Sequence, residues 1–425
     1  MKHQGSIGLW GAIAIGVGGM VGGGIFAVLG LAVQLTGGGA PVAFLVAGAV
    51  ALLTAYSYSR LSVGYPSQGG TVEFVNRAFG ENLFSGSVNV LLWVSYIIML
   101  SLYAQAFGGY AAGLVGHPHS ALWRHACLSG VVIALTALNA FGSSAVGRAE
   151  TWIVGIKISI LLLFVGTGFA SIDAARLAPS SWGSPLSLVA GGMLIFLAYE
   201  GFELIANTAG DVKDAKRTLP RAYFAAVGFV IVLYVAVAAV TVGNLAVPEI
   251  VAARDYALAE AARPFLGQAG FTLVGAAALL STASAINATL YGAARVSYII
   301  AKEGELPSLL ERNIWNRPVE GLLITAAATL LAANVFDLSN IAVMGSAGFL
   351  LVFAVVNMAA ARRSDDIGAN PTIAITGTVA CLAALAVLLW QSRHDLVGLF
   401  ALPAMLLLAV TVELAYRVAS PARRS

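Results

Sequence analysis

The sequence predicts an all-α polytopic membrane protein of twelve transmembrane helices, and three observations carry that prediction. Hydrophobic residues make up 59% of the 425, only 10% are charged, and mean hydropathy is +0.88. A soluble core cannot hide that much apolar surface. Apolar runs of about twenty residues, bounded by charge, proline or turn clusters, recur along the whole chain. The basic residues gather in alternate loops.

Taken in order, the spans begin near Gly8, Pro41, Leu83, Leu122, Glu150, Leu186, Pro220, Gly270, Gly321, Asn340, Pro371 and Leu396. The first has no small-residue cleavage signal after a short apolar stretch, so it is expected to be retained as a true span. Loops are mostly short, which predicts one integral domain over 1–425. With a cytoplasmic amino terminus, 17 Lys and Arg residues fall inside. Only Arg124, Arg176, Arg254, Arg263 and Arg393 fall outside. The positive-inside rule then places both termini in the cytoplasm.

Two spans look interrupted, the first by GVGGMVGGGIF (Gly16 to Phe26) and the sixth by FLAYEGFELIAN (Phe196 to Asn207). They are five spans apart, so equivalent helices would cross the membrane in opposite directions. That is the pattern of a 5+5 inverted repeat with a site at broken helices near the midplane. The first repeat would occupy 8–172 (helices 1–5), the second 183–363 (helices 6–10), and 370–418 would add helices 11 and 12.

Several function classes are disfavoured. The net charge of +3 is scattered through loops and forms no nucleic-acid stripe. Cys127 and Cys381 lie in apolar segments and read as small hydrophobes. His117, His119 and His125 have no accompanying carboxylate or cysteine cluster, so no metal and no cofactor is expected. No phosphate-binding G-x-x-x-x-G-K-[ST] loop and no catalytic constellation at membrane depth points to a pump or an enzyme. No repeated pore loop suggests a channel.

Five stretches then carry a resemblance: GVGGMVGGGIF, YPSQGGTVEFVNRAFG, GRAETWIVGIKISILLLF, AYEGFELIANTAGDVKDAKRTLPRA and STASAINATLYGAARVSYIIAKEGELP. In this order they resemble the amino acid-polyamine-organocation (APC) superfamily of permeases, in its bacterial and archaeal amino acid permease branch, over nearly the whole chain. The resemblance implies the inverted-repeat fold of the bacterial leucine transporter and alternating access to a small amino acid. It also favours a bacterial inner membrane, with an archaeal membrane as the alternative and the bilayer as surroundings, and it leaves the assembly open between a monomer and a homodimer.

The glycine stretch has its own physical reading. Glycine lacks a Cβ, so the backbone can unwind and approach a ligand closely. The N–H groups of Gly22, Gly23 and Gly24 would open a second half-helix with its positive dipole end behind them, a receptor for a carboxylate. Across the break, the carbonyls of Gly18, Gly19, Met20 and Val21 would offer a cation site. Close helix packing is the alternative for such glycines. Gly18, Gly19, Met20, Gly22, Gly23, Gly24 and Ile25 form the expected substrate contacts of the first span.

Span six supplies the opposite wall. Unwound carbonyls of Phe196, Leu197 and Ala198 are candidates for the substrate ammonium. Phe202, matching an aromatic of the family, would cover one face of the substrate. Glu200 and Glu203 are carboxylates at membrane depth, where an ionisable group reads as functional by default. Glu200 is a candidate for substrate contact and Glu203 for coupling or gating, with a structural pairing to a neighbouring hydroxyl as the alternative. No further acid in the core helices is available for a cationic side chain, which favours neutral substrates.

Lys157 lies well inside span five, where it cannot readily snorkel and must find carbonyls or hydroxyls. Its candidate partners are the carbonyls of Gly18 and Val21 and the hydroxyls of Ser281 and Thr282. In sodium-coupled relatives of the fold, the equivalent cavity resembles a sodium site, so the ammonium would stand in for the ion. A lysine shielded from water can release and rebind a proton as the cavity opens and closes, which predicts proton-coupled, sodium-independent symport. A fixed strut in an amino acid or amino acid/polyamine exchanger is the alternative. Tyr96, Tyr103 and Gln105 of span three would face the site in the family's arrangement if the helical register permits, and otherwise read as packing residues, the favoured role. Asn287 and Thr289 read as helix–helix contacts, and Asp211, Lys213 and Arg217 as an inner-gate cluster.

Overall fold

In the computed structural model, residues 6–141, 146–302 and 319–419 are described, with side chains from 6–140, 152–298 and 319–418. Among them the chain is almost entirely helical, with two isolated β-bridges, Ile7 to Val212 and Gly37 to Trp182.

The helices run in chain order as α1 (Leu9–Met20), α2 (Gly24–Thr36), α3 (Ala40–Gly64), α4 (Thr71–Phe79), α5 (Leu83–Leu114), α6 (Ala121–Phe141), α7 (Val146–Gly168) and α8 (Pro185–Leu194). A 3₁₀ segment follows over Phe196–Asp211. Then come α9 (Ala215–Asn244), α10 (Val247–Ala252), α11 (Ala257–Ala261), α12 (Arg263–Lys302), α13 (Val319–Val335), α14 (Leu338–Arg362), α15 (Ser364–Ile367), α16 (Pro371–Gln391) and α17 (Leu396–Ala419).

Local chemistry sets several boundaries. Asn82 opens α5 by accepting from the backbone N–H groups of Phe84 and Ser85, at 2.9 and 3.2 Å. Ser184 precedes Pro185, and Asn370 precedes Pro371, each pairing a side-chain cap with a proline at the first helical position. Asp337 caps α14 through the Asn340 N–H at 2.8 Å.

Nine helices are long and apolar enough to cross a membrane among the described residues. Two further pairs are bent at a break: α1 with α2 by 48°, and α8 with the 3₁₀ segment by 43°. That supports up to eleven spans by length, against the twelve expected. The segment expected from Gly321 is α13, an apolar helix of 17 residues that falls among the shorter ones. Helices α5 and α14 lie in the interior, while α6 and α7 turn large apolar side chains such as Ile133, Leu162 and Leu163 outward. The parts of the GRAET and AKEGELP motifs at 147–151 and 301–307 lie outside the described side chains.

Candidate functional site

The two breaks meet. A Cβ placed on Gly201 would lie 2.6 Å from the Gly19 carbonyl oxygen, and one placed on Gly19 would lie 2.7 Å from the Gly201 oxygen. Only glycine lets these two backbones touch. The long 3₁₀ run through Glu200 is itself a hinge signature, because such runs rarely exceed one turn.

Side chains from surrounding helices satisfy the carbonyls that the first break exposes. The Lys157 ammonium donates to the Gly18 oxygen at 3.0 Å. The Ser281 hydroxyl lies 3.0 Å from the Val21 oxygen and 2.6 Å from the Gly22 oxygen. Tyr234, on α9, donates to the Met20 oxygen at 2.6 Å and lies 3.4 Å from the Ala198 oxygen, so it touches both breaks. The second break is mended from α14. There the Ser346 hydroxyl accepts from the Leu197 N–H at 3.3 Å and donates to the Leu194 oxygen at 2.9 Å. Each bond relieves a backbone group that would otherwise be stranded in an apolar interior.

Beside the breaks lies a cavity of about 680 Å³. It runs from Gly18, Gly19, Tyr96, Tyr103 and Glu200 toward Ser6, Trp10, Asn207 and Val296. Past the breaks, in the other direction along α2 and α5, the Arg254–Tyr256 turn packs against Gly30 and Gly109. Arg124 pairs there with Asp255 at 3.2 Å.

Of the expected substrate residues, Gly18, Gly19 and Glu200 are on the cavity wall. Met20, Gly22, Gly23, Gly24, Ile25, Phe196, Leu197 and Ala198 are buried around the breaks, and Gly23 packs on the Tyr103 ring. Phe202 is turned away from the cavity. Its ring lies 5.4 Å from those of Tyr58 and Phe353, where a 3₁₀ register carries it off the Glu200 face.

Of the expected coupling residues, Lys157 meets Gly18, while Val21 is met by Ser281. Thr282 instead returns its hydroxyl to the Ala278 oxygen of its own helix, at 2.7 Å. Glu203 accepts from the hydroxyls of Tyr58 at 3.1 Å, Thr71 at 3.2 Å and Tyr96.

Tyr96, Tyr103 and Thr289, read from sequence mainly as packing, line the cavity. Gln105 is a helix tie, donating to the Ala333 oxygen at 2.6 Å. Asn287 accepts from the Asn139 amide at 2.8 Å. Asp211 accepts from the Gln68 amide at 3.4 Å. Tyr234 and Ser346 were missed altogether. A lone hydroxyl in an apolar span gives no hint of its partner until the breaks are placed.

Comparison with known proteins gives the family of the chain. The model of the amino acid permease family matches residues 7–412. An uncharacterized protein of Methanocaldococcus jannaschii is 38% identical over 90% of this chain and 88% of its own length. The inner membrane transport protein YbaT of Escherichia coli is 37% identical over 88% of each chain. The branched-chain amino acid permease BcaP of Lactococcus lactis is 27% identical over 81% of this chain and 79% of its own. The chain therefore belongs to the amino acid permease family, and is a membrane transporter of amino acids and not an enzyme.

Proposed function

We propose that the protein is a secondary transporter of small amino acids that works by alternating access as a proton-coupled, sodium-independent symporter, with Lys157 as the coupling group. The observation that carries this is the Lys157 ammonium, 1% exposed and 3.0 Å from the carbonyl of Gly18. A charge that deep is expensive unless it serves the transport path. Its partner carbonyl belongs to the broken helix whose neighbouring glycines line the cavity, so loss of the proton and movement of that helix are mechanically linked.

The α-carboxylate is assigned to the first break, the α-ammonium to the carbonyls of the second. The distribution of basic residues supports cytoplasmic termini in the inner membrane. With that orientation, the cavity reaches toward the cytoplasm. Neutral side chains remain the first reading of specificity.

The test is uptake of labelled alanine into proteoliposomes with and without an inward proton gradient, for wild type and Lys157→Ala. Gradient-driven accumulation that vanishes in the variant while exchange of preloaded substrate survives supports coupling at Lys157. Wild-type uptake that ignores the gradient and needs internal substrate favours an exchanger with Lys157 as a strut. The position of Glu200 on the cavity wall is what recommends that second reading, for amino acids or polyamines bearing an added amine.

A further inference from the structure

Glu200 is the one Asp, Glu, Lys or Arg on the cavity wall among the described residues, and it is only 4% exposed. Its carboxyl lies against that of Glu203, three residues on in the same 3₁₀ segment. The backbone dictates this pairing, since residues three apart eclipse in a 3₁₀ helix. An α-helical segment would have offset them.

The two carboxyls differ in their surroundings. Glu203 is off the cavity wall and receives the hydroxyls of Tyr58 from α3, Thr71 from α4 and Tyr96 from α5. An ionised carboxylate only accepts, so this ring of donors suits Glu203 as the carboxylate. Two buried carboxyls in contact do not ionise together, which leaves one proton between them, carried on the cavity side by Glu200. Tyr103, from α5, lines the same wall. Among the described residues, α1 and α2 present no charged side chain to the wall, and the buried cation of the first break, Lys157 on α7, is engaged with Gly18.

We propose that the Glu200–Glu203 pair is an exchangeable proton site, at which a primary ammonium on the substrate's side chain takes the place of the proton on Glu200. The Glu200 O–H bond breaks, the proton passes to cavity water, and an ammonium N–H donates to the carboxylate left behind. No electron changes hands, and the charge beside the break is the same before and after. A substrate with a cationic side chain therefore travels with one proton fewer than a neutral one. This rests on the cavity being the substrate path.

The experiment uses the full chain in detergent, weakly buffered near neutral pH, with a pH-indicator dye. It is mixed with saturating L-lysine or with L-norleucine, which has the same straight side chain without the amine. Displacement of labelled alanine reports binding separately. The expected result is that lysine displaces alanine and releases close to one proton per protein more than norleucine. In Glu200→Gln that difference falls to near zero. The wild-type comparison stands alone if the variant does not fold. Lysine that displaces alanine without the extra proton, or lysine that fails to displace it, overturns the proposal while the amino acid reading survives. Alanine that does not bind at all overturns both.

Discussion

Replacing Gly201 by alanine strikes the contact on which the site depends. A Cβ there would lie 2.2 Å from the Gly19 carbonyl carbon, whereas ordinary contact begins at 3.4 Å, so the two backbones must part by about 1.2 Å. The atoms in the way are main chain, so no rotamer change relieves the clash. Overpacking of this kind costs about 1–3 kcal/mol, about 5- to 150-fold in the population of the closed-up arrangement. We expect Gly201→Ala to be produced as a folded, monodisperse protein whose alanine uptake in proteoliposomes falls by at least about fivefold. Gly228→Ala, on α9, is the control, because nothing lies within 4 Å of its added Cβ. Uptake by Gly201→Ala within twofold of wild type, from protein equally folded, would refute the view that direct contact between the breaks sustains transport.

Other outcomes follow from the same hydrogen bonds. Ser281→Ala strands the Val21 and Gly22 carbonyls. An interhelical bond in a membrane averages about 0.6 kcal/mol, so a rise in KM of roughly threefold is expected; Thr282→Ala, whose hydroxyl serves its own helix, should leave KM almost unchanged. Tyr234→Phe removes the donor to Met20 and should raise KM by about fivefold or more, since an unpaired buried carbonyl costs about 1 kcal/mol or more. Asp255→Asn weakens a partly exposed ion pair with Arg124, and turnover measured by counterflow should change less than about fivefold, because such pairs contribute about 1 kcal/mol at most.

Much of this was legible in the chain because membranes enforce strict rules. The first break could be read from glycine density in an apolar run and the second from FLAYEGFELIAN interrupting another, while Gly18 was one of four partners expected for an amine at the depth of Lys157. Phe202 was not legible. Its direction depends on whether the segment turns by 100° or 120° per residue, and FLAYEGFELIAN fits both. The same ambiguity hid the stacking of Glu200 on Glu203. Thr282 was expected to face Lys157 and instead bonds to its own helix, a choice that any hydroxyl in a helix has open to it. Tyr96 and Tyr103 were read as packing because an aromatic on an apolar helix gives no sign of whether it borders a void.

The short pairing of Ile7 with Val212 is made by main-chain atoms, with the Ile7 N–H on the Asp211 oxygen at 2.9 Å and the Lys213 N–H on the Ile7 oxygen at 2.8 Å. It rivets the approach to the first broken helix onto the exit of the second, so the two are leashed at their tips as well as touching at their breaks. Alanine scanning is blind to such a rivet, since every residue but proline brings the same N–H and C=O. Only a proline at position 7 or 213 would unfasten it. Surveys of this transporter by side-chain replacement will therefore score its most economical restraint as silent.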